Sequence, residues 1–411
     1  MKKSHLAATA VFALAFVACS NEDGPIYVGQ EPVENPTELA DWQPAPLRTL
    51  TEANVGKANG FALDLFKKTL ETGEDNLCLS PISVFACLAM AANGDSGATR
   101  SEVLNLLGYG HTDLSQLNIF CNALLTETKA LNSVTECSYA NSFWYRPDMK
   151  PSEAYLSALQ LIFDASVYDT WIGDEHGMKE VNDYISTNTR GLIPQFLSEP
   201  LDVRMALINT TYFKGTWKEK FGQSLINCVA FHNLDGSSAT ADFMGRDGEI
   251  EVAETSSLRS VRLPYAYDRF TMTLIQPTGE CDCTTMLTTL TPATLQTLDE
   301  NYHPQESYLM MPRFEATVSL DLLDTLKEMG LKLGCERGFD SICEGEPFYI
   351  MCVKHGVKII VNEEGTEAAG ATLVGLDNSA PSFISFDRPF VYLIRDTISD
   401  TILFIGAVTK F

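Results

Sequence analysis

Residues 361–376, Val-Asn-Glu-Glu-Gly-Thr-Glu-Ala-Ala-Gly-Ala-Thr-Leu-Val-Gly-Leu, read as a strand held outside a sheet and able to enter one. Every second residue from Thr366, namely Thr366, Ala368, Gly370, Thr372, Val374 and Leu376, is uncharged, small at first and aliphatic at the end, as one buried strand face requires. The alternate set, Glu367, Ala369, Ala371, Leu373, Gly375 and Asp377, tolerates water better. Ala and Gly are poor strand formers, so Ala368 to Ala371 have no reason to be a strand unless neighbouring strands are already in place.

Asn362-Glu-Glu-Gly-Thr-Glu-Ala-Ala-Gly-Ala-Thr372 resembles the hinge of the reactive-centre loop of inhibitory serpins. Three further blocks are similar to that family in the same order. Leu79-Ser-Pro-Ile-Ser-Val84 resembles the start of a central helix, and Asn209-Thr-Thr-Tyr-Phe-Lys-Gly-Thr-Trp217 the strand and turn beneath the sheet opening. Phe386-Asp-Arg-Pro-Phe-Val-Tyr-Leu-Ile394 resembles the closing hydrophobic hairpin. The resemblance spans residues 53–411. It implies an α+β fold of one domain, with three β-sheets, about nine helices and an exposed reactive-centre loop.

A length of 411 residues would by itself suggest two or three domains, and the resemblance overrides that reading. The formal net charge is −25, from 54 acidic and 29 basic residues, which argues against nucleic acid and anionic membranes as partners because phosphate-binding faces need clustered Lys and Arg. Mixed helical and strand signals without a βαβ rhythm agree with α+β. Helical spacing marks residues 53–71, 81–93, 101–107 and 321–329. Strand patterns mark 138–146, 204–213, 258–264 and 270–276, and the chain from 349 onward is mostly strand.

The N-terminus is Met-Lys-Lys-Ser-His, followed by an apolar run over residues 6–18 and Cys19. A basic start, an apolar run too short to span a bilayer as a helix, and small residues before the cysteine predict a secretion signal over residues 1–18. Phe16-Val-Ala-Cys19 resembles a bacterial lipobox, with Phe16 where Leu is usual, which implies lipidation of Cys19, or ordinary secretion with a free Cys19 in its place. Residues 19–49 are rich in Pro, Glu and Asp and are predicted to form an extended tether ahead of a domain over 50–411. The expected location is extracytoplasmic, lipid-anchored to a bacterial membrane, and Ser20-Asn-Glu-Asp23 resembles the surface-export signals of some lipoproteins.

Catalytic constellations are missing from the sequence. Gly94-Asp-Ser-Gly97 looks like a protease nucleophile motif, but the only upstream histidine is His5, in the leader, so a turn between helices is the better reading. The histidines lack metal-ligand spacing, and no pair of cysteines forms C-x-x-C. Neither metal nor cofactor is expected, and the chain is not expected to be an enzyme.

The resemblance implies borrowed chemistry instead. A target serine protease attacks a loop bond and forms its acyl-enzyme, and the freed loop then enters the large sheet and carries the trapped protease with it. Residue by residue, the hinge falls on Glu363, Gly365, Thr366, Glu367, Ala368, Ala369, Gly370, Ala371 and Thr372, with Thr366 the first side chain to be buried. Ser80, Ser83, Asn209 and His355 match the shutter beneath the sheet, and Trp217 and Arg313 the breach at its top, with Arg313 and Glu363 expected to form a surface ion pair.

The scissile bond has two placements. Counting from Glu363 puts it after Ser379, and counting back from Pro389 puts it after Asn378. Residues 373–386 contain no Lys or Arg, so elastase-like or subtilisin-like proteases, which accept small residues such as Ser379 and Ala380, are the expected targets. Leu376 is a secondary site for chymotrypsin-like enzymes. Residues 115–133, where a cofactor-binding helix would lie, contain only Lys129 as a base, so no heparin-type cofactor is expected. The body is expected to be a monomer, and the alternative to an inhibitor is a non-inhibitory serpin acting as a binding or structural protein.

Overall fold

The computed structural model describes residues 7–18 and 52–411, apart from 111–112, 129, 132–134, 223–225, 279–281, 337, 344–346 and 364–381. The helices are α1 (Glu52–Leu70), α2 (Pro81–Ala92), α3 (Ala98–Leu106), α4 (Leu114–Glu127), α5 (Glu153–Phe163), α6 (Glu175–Asn188), α7 (Cys283–Thr289), α8 (Pro292–Asn301) and α9 (Leu323–Glu328). The strands of the first half are β1 (Ala7–Ala18), β2 (Cys78–Leu79), β3 (Ala130–Leu131), β4 (Thr135–Tyr145), β5 (Ala165–Tyr168), β6 (Met205–Gly215), β7 (Ile226–His232) and β8 (Ser238–Glu254). Those of the second half are β9 (Leu258–Pro264), β10 (Phe270–Pro277), β11 (His303–Pro312), β12 (Phe314–Asp321), β13 (Phe348–Val361), β14 (Ser382–Ser385), β15 (Phe390–Asp396) and β16 (Ile402–Val408).

The large sheet has the order β12-β13-β1-β6-β4-β3, with β5 pairing beside β4. A second hydrogen-bonded path runs β14-β11-β8-β9-β10-β15-β16-β2. It falls into two sheets along the 17-residue β8, which pairs with β7 over residues 238–243, with β11 over 243–252 and with β9 over 251–254. Gly248 lies within the β11 ladder, opposite Ser307, with φ 125°, a backbone conformation that a side chain at this position would strain. Among the described residues, three sheets and nine α-helices in a mixed α+β arrangement agree with the expected class.

Helix α2 shows how the sequence sets the core. Its twelve residues, Pro-Ile-Ser-Val-Phe-Ala-Cys-Leu-Ala-Met-Ala-Ala, are all buried, which suits a helix with no polar face. Pro81 at its first turn needs no amide partner there. The helix lies under the large sheet, and Phe85 meets Phe61, Tyr109 and Phe120 edge-on at centroid distances of 5.8, 6.5 and 5.7 Å. On the opposite face of the sheet α6 covers a second apolar cluster, in which Val181 and Ile185 pack with Trp144, Ala206, Ile208 and Cys352. The middle of the sheet is therefore buried on both faces.

Gly94-Asp-Ser-Gly97 is the turn between α2 and α3, as its sequence suggested. The Asp95 carboxylate is buried and accepts from the amides of Gly97 at 3.1 Å and Arg100 at 2.7 Å, a local capping role. The described cysteines are all free, and most of them are buried. Among the described residues no helix is long and apolar enough to cross a membrane.

Replacing Phe85 by Ala removes three ring contacts at a site with no solvent access. Phe85→Ala is expected to cost about 3–5 kcal/mol of stability, read as a fall in the urea unfolding midpoint with an unchanged slope.

Candidate functional site at a one-strand gap in the large sheet

β6 and β13 run parallel to each other, and the strand between them is antiparallel to both. That strand is β1, made by the apolar N-terminal run. Ala7 lies opposite Ile360 at one end, and Ala18 opposite Phe348 at the other. Its Leu14 side chain is fully buried in the main core.

Beneath the middle of this position lies a buried polar chain. The Ser80 amide donates to His355 Nε2 at 3.2 Å, and Ser83 Oγ donates to Ser80 Oγ at 3.2 Å. Ser83 Oγ also lies 2.7 Å from Thr211 Oγ1, which donates to Asn209 Oδ1 at 3.2 Å. Asn209 Nδ2 donates to Asn141 Oδ1 at 2.7 Å, and Asn141 Nδ2 donates to the Phe163 carbonyl at 2.6 Å. Ser80, the residue before α2, makes no side-chain cap, so its hydroxyl is left for this network. Asn209 and His355 both lie opposite Phe12 of β1, one on each flank. The four residues matched to the shutter are thus brought together, with Thr211 and Asn141 as two members that the sequence reading missed. Thr211 stands two residues from Asn209, on the same face of β6, and that spacing was the available signal.

At the top of the gap Trp217 is buried and stacked on Tyr265, with ring centroids 4.6 Å apart and planes within 9°. Its Nε1 donates to the Asn362 carbonyl at 2.8 Å, and the Phe221 amide donates to the Glu363 carbonyl at 3.3 Å. The chain leaving β13 is therefore gripped by its backbone. Arg313 Nη2 reaches Glu363 Oε2 at 3.1 Å, but the Glu363 side chain is only 8% exposed, against 37% for Arg313. The expectation of a surface pair is corrected: Glu363 is tucked under the top of the sheet, and Arg313 covers it from the solvent side. Gly365 to Thr372, Asn378, Ser379, Ala380 and Cys19 lie outside the described residues, and the chain is described again from Ser382, where β14 pairs parallel to β11.

The family model for serpins, serine protease inhibitors, matches residues 56–411. The chain belongs to the serpin family. An uncharacterised serpin-like protein of Thermococcus kodakarensis is 29% identical over 363 residues, covering 86% of this chain and 84% of that protein. Iripin-4 of Ixodes ricinus is 29% identical, over 87% of this chain and 94% of its own. Among solved structures, the native thermophilic serpin tengpin superposes with a TM-score of 0.79 at 22% identity, covering 92% of this chain and 99% of that one. Thyroxine-binding globulin in complex with thyroxine superposes with 0.77 at 20% identity, covering 87% and 98%.

Arg313→Ala leaves the sheltered Glu363 carboxylate without its cation. The expected loss is about 1–2 kcal/mol, more than an exposed pair supplies and less than a fully buried one. Urea unfolding of the variant beside Arg313→Lys measures it, and a loss of a few tenths would mean that Glu363 is already satisfied by solvent.

Proposed function

We propose that the chain is a suicide inhibitor of serine proteases, acting through acyl-enzyme trapping and insertion of its loop into the gap between β6 and β13. The observation that carries the reading is the gap itself. It takes one strand antiparallel to both neighbours, and a chain that leaves β13 at Val361 and doubles back runs in that direction without crossing any connection. The hinge sequence supports it from the other side, since residues 366–372 are small and uncharged except for Glu367. Bulky inward residues there would oppose entry between packed strands.

Under this reading the protease supplies all the bond chemistry. Its serine attacks the carbonyl of Asn378 or Ser379, the peptide bond to the next residue breaks with the serine's proton passing to the leaving amine, and the loop's new C-terminal end is left esterified to the protease. Insertion then competes with deacylation. The intact protein is held in a state above its most stable one, so its lifetime is set by a barrier. The absence of Lys and Arg from residues 373–386 favours elastase-like or subtilisin-like targets. Lipidation at Cys19 would hold the body outside the cytoplasm on the tether of residues 19–49. Helix α4 contains no basic residue, so activation by a polyanion such as heparin is no part of the proposal.

Mixing the protein processed to begin at residue 19 with pancreatic elastase and with subtilisin is expected to give a covalent complex that resists boiling in detergent. Its mass should equal that of the protease plus the serpin fragment ending at residue 378 or 379, with the C-terminal fragment released as the free amine. Cleaved serpin beside fully active protease in every mixture would defeat the inhibitory reading and favour a non-inhibitory binding protein.

Thr366→Arg is expected to turn the inhibitor into a substrate. A guanidinium at the first inward position must be desolvated at a cost of several kcal/mol before the loop can enter. Cleavage persists and the covalent complex falls below a tenth of the wild-type yield. An unchanged stoichiometry of inhibition would show that Thr366 is not the first buried residue.

A further inference from the structure

The strand in the loop's proposed place is the N-terminal run itself. β1 occupies the gap over twelve residues and has β13 on one side and β6 on the other. It also runs in the direction that residues 366–377 would take on folding back from β13. The two segments share a pattern. Ala-Ala-Thr-Ala opens β1, and larger apolar residues such as Val11, Phe12, Leu14 and Phe16 follow, just as small residues precede Leu373, Val374 and Leu376 in the loop. Both suit a gap that accepts small side chains first. The connection allows the placement: residues 19–51 separate Ala18 from α1, and a Pro-rich chain reaches roughly 3 Å per residue. Two segments cannot fill one gap.

We infer that residues 7–18 are the resident occupant of the gap in the unprocessed chain, and that the protein is kept unable to insert its loop until this segment is removed. The inference rests on the loop-insertion reading for its consequence, though not for the placement of β1. Hydrolysis of the Ala18–Cys19 bond by a leader peptidase, with water supplying the hydroxyl of the new carboxylate and a proton to the Cys19 amine, turns the strand into a separate peptide, and its dissociation leaves the gap to the loop. A precursor still inside the cell would then be cut by proteases without trapping them. Arming and export would be the same event.

The register supplies the test. Ala15 lies directly opposite Cys352 on β13, and facing residues in antiparallel strands fall within disulfide reach. The full 411-residue chain, with Cys19→Ala to block processing, is made in a membrane-free translation system so that the leader stays attached. With Ala15→Cys added, mild oxidation is expected to give one new disulfide, mapped by mass spectrometry to positions 15 and 352. The pair should not form when Leu14→Lys is also present, because that change charges the buried centre of the strand while leaving the body untouched.

In the Cys19→Ala chain, nicking the loop with a non-target protease is expected to leave the thermal midpoint where it was. In the Leu14→Lys chain, nicking is expected to raise it by about 15–30 °C. A disulfide to any other cysteine overturns the inference. If no disulfide forms, amide exchange decides: slow exchange at residues 7–18 upholds the placement, and exchange at the unfolded rate ends it. An equal rise in both nicked chains would show that the loop displaces the leader and would also overturn the inference. A disulfide with no rise in either chain upholds the occupancy and tells against the inhibitory reading instead.

Discussion

Two parallel strands separated by the width of one strand create the demand around which this protein is organised. β6 and β13 each turn a row of backbone amides and carbonyls toward the gap, and both faces of the sheet are sealed there, by α2 below and α6 above. Buried backbone groups must be paired, so the gap cannot stay empty and dry. Either the flanking strands close on each other as a parallel pair, whose slanted bonds are slightly the weaker kind, or a third strand enters and makes two antiparallel ladders. Any segment of suitable size that enters is stabilised. On the proposed insertion reading, metastability follows from that preference, and so does competition between residues 7–18 and the loop.

The polar chain below the gap makes the closed and filled arrangements differ in more than ladder bonds. With a strand between them, His355 is engaged by the Ser80 amide and Asn209 by Asn141, each on its own side. Closure would bring β6 and β13 together and let these side chains meet. Two arrangements of one satisfied network cost less to interchange than the exposure of a buried group without a partner. On the insertion reading, that accounts for a cluster of Ser, Thr, Asn and His at the centre of an otherwise apolar core.

The strongest local signals were legible in the sequence. Residues 81–92 admit no polar face and are a buried helix, and β9 begins and ends where its alternation does. What escaped was decided by single caps or by distant partners. α5, α6, α7 and α8 begin at Ser152, Asp174, Asp282 and Thr291, whose side chains accept from an amide three residues on, a signal spread too thinly among many polar residues to stand out. β8 crosses between two sheets, which no local period encodes. Of the site, Trp217, Ser80, Ser83 and Asn209 stood in recognisable blocks, and His355 was matched outside them. The burial of Glu363 was not legible, because it depends on Arg313 and Phe221 arriving from other parts of the chain. The leader read as a targeting segment because its apolar run and cysteine say so, and nothing in its own residues says that a gap of matching length and direction waits in the body.

The contacts at the top of the gap set the order in which it can be filled. Trp217 and Phe221 hold the backbone of residues 362 and 363 through the Asn362 and Glu363 carbonyls, and Arg313 holds the Glu363 side chain. A loop entering from residue 364 must begin next to this grip, so its first residues must fit without disturbing it, whereas later ones descend between strands already parted. The small residues of the hinge and the larger ones beyond Thr372 are distributed accordingly. A separate segment such as residues 7–18 is not tied to β13 and need not start at that grip. It can be placed while the sheet is still assembling, before Trp217 and Arg313 close the top, and once there it keeps its position because every later entrant must begin at the end it already occupies.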